Sequence, residues 1–452
     1  MAHDPLLIVV LAAGKGTRMK SDLPKVLHRI AGRSMLGHVL ALARSAGASG
    51  SAVVIGPGQD AVRKEIALFA SDAPVFVQAE RLGTADAVKA ARPAIAAHSG
   101  HVIVLFADTP LFSAATISGV RTALSDGAGV VVVGFEAADP AGYGRLLRDA
   151  AGRLLAIREH NDASPKERAT RLCNGGVMGF RSERFIEIVD AIGNRNAKGE
   201  YYLTDAVEIA NAKGLACRAL ICPEEEVLGI NSRDQLAEAE AIWQRRARKA
   251  AMLAGASMVS PETVWLSHDT VIGRDVTIEP HVFIGPGVTI EDGAEIKAFC
   301  HIEGARVGKG ARIGPFARLR PGADLGADVH IGNFVEVKNL AVEKGAKANH
   351  LAYLGDGRVG EGANIGAGTI FCNYDGFFKH MTDVGKGAFI GSNSSLVAPV
   401  KIGEGAYVGS GSVITKDVPP DALALERCKQ EERPGWAAKF RALMRARKER
   451  AK

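Results

Sequence analysis

Aliphatic side chains recur every six residues between positions 272 and 414. The run is Ile272, Ile278, Ile284, Ile290 and Ile296, then Val307, Ile313, Leu325 and Ile331, and later Val359, Ile365, Val384, Ile390, Ile402 and Val408, most of them followed by glycine. Four residues after many of them comes a small or β-branched residue: Val276, Val282, Val288, Ala294, Ala311, Ala317, Val329, Ala363, Ala388 and Ala406. A period of six fits neither an amphipathic helix nor an alternating strand. It fits short flats joined by tight turns, with one aliphatic side chain per flat pointing inward. Three flats close a coil, and coils stack at the spacing of paired strands, roughly 4.8 Å. The pattern predicts a parallel β-helix, a solenoid that buries its core only by stacking, with about eight coils at about 18 residues each.

The first half of the chain is patterned differently. Residues 6–13 form an unbroken apolar run, which predicts a strand buried on both faces. Helical spacing follows at 35–46, 59–69 and 84–91, alternating with apolar strands at 52–55, 75–77, 102–106 and 130–135. Such alternation predicts a mostly parallel sheet with helices on both faces and ligands at the carboxyl ends of its strands. One longer helix is expected over 232–253, with Ser232 as N-cap, Gln235 three residues on and Gly255 past its end. Its stripe of Leu236, Ala239, Ile242, Trp243, Ala250 and Leu253 suits a connecting strut, and its Arg245, Arg246, Arg248 and Lys249 a solvated face. The predicted organisation is an α/β domain at 1–231, a linker helix at 232–254 and the solenoid domain with a basic tail at 255–452.

Composition agrees with two globular domains in 452 residues. Aromatics are scarce (6%) and glycines abundant (52), as tight coils require. No long uncharged apolar run predicts a membrane span, and the N-terminal apolar run lacks the basic flank of a leader. Six scattered cysteines without a CxxC pair suggest reduced thiols in the cytoplasm and argue against structural zinc. The net charge of +6 is a local feature. Residues 433–452 carry +7, so the remainder is near neutral, which argues against a nucleic-acid-binding face.

The loop after the first strand reads LAAGKGTRM. It is neither a Walker A loop nor a dinucleotide fingerprint. A glycine-rich turn of this kind presents backbone N–H groups to phosphate, with Lys15 and Arg18 to offset its charge. Lys25 follows in PKVL, and Asp108 sits at the tip of the strand at 102–106, where a magnesium carboxylate would be placed.

Taken in order, LAAGKGTRM, PKVL, QAERLGT, GYGR, EH, CNGG, GEYYLTD and GIN resemble the nucleotidyltransferase domain of the bifunctional N-acetylglucosamine-1-phosphate uridylyltransferase / glucosamine-1-phosphate N-acetyltransferase family. The likeness extends over nearly the whole chain. It implies a Rossmann-like domain in which Leu11, Ala12, Ala13, Gly14, Gln78, Gly83 and Thr84 hold the uracil and ribose of UTP. It implies that Arg18 and Lys25 neutralise phosphate charge in the transition state, that Asp108 and Asn231 hold Mg2+, and that Gly144, Glu159 and Asn174 contact the sugar. The family's usual Tyr-Gly before the aspartate is Phe106-Ala107 here, so a phenol oxygen and a glycine are lost while the carboxylate is kept.

The solenoid repeat breaks where chemistry is expected. Steps of five residues fall at 302–307, 337–342 and 354–359, and a loop at 373–380 (NYDGFFKH) leaves the coil. Loops on a rigid scaffold are where function collects. At about 18 residues per coil, Arg320 and Lys338 stack into a two-cation ladder suited to a sugar phosphate. His350 falls on the turn side of its hexad, with Tyr353, Glu336 and Asn364 nearby, and imidazole is the side chain suited to general-base work near neutral pH. The same family resemblance implies a left-handed β-helix that assembles as a homotrimer. It implies that His350 is the base for acetyl transfer from acetyl-CoA, that Arg320, Lys338, Tyr353, Asn364 and Lys379 bind glucosamine 1-phosphate, and that Ala367, Asn373, Tyr374, Ser392, Ser410 and Arg427 bind acetyl-CoA. The alternative is a single-activity nucleotidyltransferase whose solenoid only assembles or regulates.

Overall fold

The computed structural model describes residues 4–451. The chain divides into two compact units, residues 1–249 and 250–452.

In the first unit seven strands make the main sheet: β1 (Leu6–Leu11), β2 (Gly50–Ile55), β3 (Val75–Val77), β4 (His101–Phe106), β5 (Val130–Glu136), β6 (Leu172–Arg181) and β7 (Cys217–Ile221). Their order is β7-β5-β6-β4-β1-β2-β3, with only β6 antiparallel to its neighbours. β1 reads as a continuous apolar run because both of its faces are covered. Leu6, Ile8 and Val10 pack on one side with helix α1 (Met35–Ser45) and helix α2 (Asp60–Phe69). Leu7, Val9 and Leu11 pack on the other side with helix α3 (Thr84–Ala90). The chain runs from β1 to one edge and then returns to β4 on the opposite side of β1. The switch point therefore lies between the carboxyl ends of β1 and β4, which is where a crevice opens in such sheets.

The long helix, α4 (Arg233–Leu253), does not behave as a free strut. Ala239 and Ile242 are buried with Ile30, Met35, Leu111 and Ile230. Its arginines are engaged: Arg246 donates to the Leu111 carbonyl at 2.8 Å, and Arg245 pairs with Glu225. Gln235 accepts from the backbone N–H of Asn231 at 2.8 Å, one residue earlier than a capping box on Ser232 would place it. Through residue 249 the helix thus belongs to the α/β unit.

The second unit is a parallel β-helix. One of its faces is a stack of ten short strands, beginning at Ser257–Met258 and ending at Leu423–Ala424. That exceeds the eight coils expected from the repeat. The end strands carry only the half-buried Met258 and Ala424 inward, so the hexad signature fades at the caps. Between them Ile278, Ile296, Ile313 and Ile331 are almost fully buried one above another. Each such side chain contributes roughly 1.5–3 kcal/mol of burial.

The register explains the irregular repeats. Arg318 pairs with Glu336 across a regular coil of three hexads, whereas Leu340 pairs with Gly357 across a coil shortened by its five-residue step. Gly357 pairs with Thr382, so that coil is much longer than its neighbours, and the excess is the loop. One corner of the coil is built from residues in the left-handed region: His281, Phe299, Phe316, Phe334 and Leu351, then Gly368, Asn393 and Gly411. The rings of His281, Phe299, Phe316 and Phe334 stack at 4.8–5.2 Å. A final helix, α5 (Trp436–Arg450), is exposed along its whole length.

Candidate functional sites

The first site is a cleft of about 220 Å³ at the switch point of the sheet, lined by Leu11, Ala12, Ala13, Gly14, Lys25, Gln78, Gly83, Thr84 and Asp108, together with Arg81, Phe106 and Glu200. The end of β1 is pinned on both sides: the Ala12 N–H donates to the Val54 carbonyl, and the Ala107 N–H donates to the Leu11 carbonyl. Gly16, at φ +63, lets the stem of Lys25 pass so close that a Cβ there would overlap it. Lys25 is buried, and its Nζ lies 2.5 Å from Asp108 Oδ2 and 3.0 Å from Asn231 Oδ1. Asn231 is delivered by the bond from the Ile230 N–H to the Asp108 carbonyl.

Two oxygen donors therefore converge on one positive charge at the floor of the cleft. Among the described residues no cluster of three or more His, Cys, Asp or Glu could hold a metal. A carboxylate and an amide oxygen nevertheless fit a cation such as Mg2+, which keeps waters and binds through one or two protein oxygens plus phosphates. Arg18, in contrast, is exposed on the one-turn helix Thr17–Met19 and does not line the cleft.

Gly144, Glu159 and Asn174 come together with one another but are not among the residues that line this cleft. The Asn174 N–H donates to the Gly144 carbonyl at 2.8 Å, and a Cβ on Gly144 would lie 3.4 Å from Glu159 Oε1. Glu159 accepts from Thr204 Oγ1 at 3.2 Å, and burial pushes its carboxyl above the ordinary carboxylate range. Two residues of the GEYYLTD motif share this environment. Burial, reinforced by nearby carboxylates, pushes Asp205 up to about 6 and Tyr202 up to about 12.

The second site lies where the coil slips. Arg320 and Lys338 are stacked as expected, the Arg320 N–H donating to the Val337 carbonyl at 2.9 Å. Each has an acidic partner that sequence reasoning gave no role: Arg320 Nη1 reaches Glu336 at 2.8 Å, and Lys338 Nζ lies 3.6 Å from Asp356. Asp356 is buried and accepts from Asn339 at 2.7 Å and from Asn373 at 2.5 Å. Burial opposes its ionisation, but the two amides and Lys338 outweigh it and hold the carboxyl below its usual range. Lys379, at the base of the loop, lies beside Lys338, and that neighbouring cation holds the Lys379 ammonium below its usual range. Asn373 also donates to Tyr353 Oη at 3.3 Å.

His350 ends the strand Lys347–His350, with its Nδ1 2.7 Å from Asn333 Oδ1. An amide oxygen only accepts, so Nδ1 carries the hydrogen and Nε2 bears the free lone pair. Asn364 lies on the next strand in register with Lys347, and no side-chain hydrogen bond among the described residues joins it to this cluster.

Ala367, Ser392, Ser410 and Arg427 continue the corner from His350. The N–H groups of Gly368, Asn393 and Gly411 donate to the carbonyls of His350, Ala367 and Ser392, and Arg427 Nη1 donates to the Ser410 carbonyl at 2.8 Å. Residues scattered between positions 350 and 427 thus form one line along the solenoid. Tyr374 is exposed on the loop, which Asp375 clasps by accepting from the N–H groups of Phe377 and Phe378 and pairing with His380 at 2.7 Å. The Phe378 N–H, with His380, holds the Asp375 carboxyl at about 2.

Comparison with known proteins fits both halves. Residues 8–169 match the MobA-like NTP transferase domain. Residues 269–304, 304–339 and 381–416 match the bacterial transferase hexapeptide repeat, consistent with a left-handed β-helix. The unmatched interval, 340–380, contains His350 and the loop. Curated relatives described as bifunctional protein GlmU include one from Azorhizobium caulinodans, 60% identical over 98% of each chain. Another, from Xanthobacter autotrophicus, is 59% identical over 98% of each chain. A third, from a Bradyrhizobium species, is 58% identical over 96% of this chain and 97% of its own. With a nucleotide cleft in one unit, an interrupted hexapeptide coil in the other, and relatives of this identity along nearly the whole length, the chain belongs to the GlmU family of bifunctional proteins.

Proposed function

We propose that the chain makes UDP-N-acetylglucosamine through two transferase sites. At the solenoid, acetyl passes from acetyl-CoA to glucosamine 1-phosphate. At the α/β cleft, the product's phosphate oxygen attacks the α-phosphorus of UTP and pyrophosphate leaves. The observation that carries this reading is the cluster at the broken coil. A solenoid that only assembled or regulated has no use for an imidazole oriented by an amide beside Arg320, Lys338 and Lys379, so the single-activity alternative is not favoured.

In the acetyl transfer, Arg320, Lys338 and Lys379 hold the phosphate, with Tyr353 and Asn364 toward the sugar. His350 Nε2 takes the proton from the amino nitrogen as it attacks the thioester carbon; the C–S bond breaks and coenzyme A leaves as its thiol. The corner line of Ala367, Ser392, Ser410 and Arg427, with Asn373 and Tyr374, is the groove for acetyl-CoA. In the uridylyl transfer the nucleophile is already an anion, so no general base is required. Leu11, Ala12, Ala13, Gly14, Gln78, Gly83 and Thr84 seat the nucleoside, Lys25 sits over the phosphates, and Gly144, Glu159 and Asn174 orient the sugar. Asp108 and Asn231 would hold Mg2+, which supplies positive charge to the phosphate oxygens. Arg18 reaches the phosphates only by swinging in from its exposed turn. No helix among the described residues is long and apolar enough to cross a membrane.

A homotrimer completes the proposal. The exposed ring stack of Phe299, Phe316 and Phe334 is a contiguous apolar strip of the kind that marks an interface. The activities are tested separately. His350→Ala is expected to abolish glucosamine-1-phosphate-dependent thiol release from acetyl-CoA and to spare pyrophosphate release from UTP, and Asp108→Ala to do the reverse. Absence of thiol release in the parent chain would sink the bifunctional reading.

A further inference from the structure

Gln78 follows β3 and turns its side chain into the nucleotide cleft, where it is 5% exposed. Its backbone is fixed by the N–H bond to the Ile55 carbonyl at 2.9 Å. The amide end is fixed as well. Nε2 donates to Asp86 Oδ2 at 2.8 Å and to the Gly83 carbonyl at 3.0 Å. An ionised carboxylate and a backbone carbonyl can only accept, so both hydrogens of the Gln78 amide are committed and the amide cannot turn over. Oε1 receives no hydrogen bond from any described residue. The group left to meet a ligand is therefore an acceptor, and only an acceptor.

We propose that Asp86 sets the base preference of this cleft by locking the Gln78 amide with Oε1 toward the base. The proposal rests on the reading of the cleft as a uridine-nucleotide site with the base against Gln78. Uracil has a hydrogen on N3, between its two carbonyls, and that hydrogen completes a bond to Oε1. Cytosine has a lone pair on N3, so the same approach sets acceptor against acceptor, and a site built to make a hydrogen bond rejects a partner that cannot make it. Thymine keeps the N3 hydrogen, so this contact does not distinguish it from uracil. Asp86 acts only through Gln78 and is a positioning residue. It stands in the first turn of α3, where the helix N-terminus favours its negative charge.

The test measures kcat/KM for UTP, CTP and dTTP in the full-length chain, with competition by UDP and CDP as a binding readout. The variants are Asp86→Asn, of the same shape, and Asp86→Ala. In Asp86→Asn the new amide can donate to Gln78 as readily as accept, so the Gln78 amide keeps only the Gly83 carbonyl to hold its orientation. The UTP/CTP ratio is expected to fall about tenfold or more, the loss for one mispaired buried hydrogen bond, while UTP/dTTP stays within about twofold. UDP should lose its advantage over CDP in competition by a similar factor. General damage to the cleft would lower all three nucleotides together, leave both ratios in place and overturn the proposal. An unchanged UTP/CTP ratio in both variants would overturn it too, while the uridine reading stands. A parent chain that uses CTP as well as UTP would overturn the uridine reading itself.

Discussion

Two residues outside the expected set carry testable weight. The first is Asn333, which the register places beside His350 and whose Oδ1 fixes the imidazole tautomer. Without it the ring can turn and present N–H where a lone pair is needed. Asn333→Ala is expected to lower kcat for acetyl transfer about tenfold, the worth of one orienting hydrogen bond, with little change in KM for glucosamine 1-phosphate. A rise in KM at constant kcat would place Asn333 in substrate binding instead. The second is Asp205, held up to about 6 by burial. A carboxyl raised above its unfolded value of about 3.9 contributes stability that is fully present only below that value and is lost as pH rises through about 6. Asp205→Asn stays neutral throughout. It is expected to exceed the parent in stability at pH 8 by the order of 1 kcal/mol, after discounting for a partly exposed position, and to lose that margin by pH 4. Chemical denaturation at both pH values measures it; an equal difference at both would rule out ionisation as the cause.

At the scale of elements, what the sequence made legible follows from periodicity. β1, β4, α1 and the hexads announce themselves because burial imposes a period on side chains that are near one another in sequence. Lys25, Asp108 and Asn231 were also nameable, since each ends or follows an apolar run or a recognisable motif. Asp356 and Asn333 were not, because nothing local marks them. Asn333 acquires its meaning from lying one coil below His350, and Asp356 from the Asn373 amide that the long coil brings to it. The pairing of Arg320 with Glu336 was missed for the related reason that a two-cation ladder is the more conspicuous pattern. Coil lengths also yield a prediction. Deleting residues 374–380 returns the long coil, which runs from Gly357 to its partner Thr382, to the length of three hexads. The flanking strands Tyr353–Val359 and Thr382–Val384 keep their pairing, and closing a shorter loop costs no more entropy. The deletion is expected to melt within a few degrees of the parent and to retain pyrophosphate release. It should lose acetyl transfer, because Lys379 leaves with the loop. Acetyl transfer that survived it would remove the loop from the site.

At the scale of the whole molecule, the distribution of surface character matters more than its total. The chain's net positive charge comes from its last twenty residues, and its longest stack of exposed rings is confined to one corner of the solenoid. Phe299, Phe316 and Phe334 are each about half exposed, yet stacked ring on ring. Stacking within a chain does not remove them from water, and large rings left exposed in a row are costly unless something covers them. The row leads to Leu351, the residue after His350, so whatever covers it also borders the proposed acetyl-transfer site. The proposed trimer supplies that cover. Phe316 is the position to test, because its backbone is left-handed at φ +57, a conformation that Asp tolerates better than Phe. Phe316→Asp should therefore spare the coil while placing charge in the middle of the strip. The expected outcome is a chain that scatters light with the mass of one copy where the parent has the mass of three, releases pyrophosphate from UTP at the parent's rate, and loses most of its acetyl transfer. A parent of one-chain mass would refute the trimer, and a variant that remained trimeric would move the interface away from this corner.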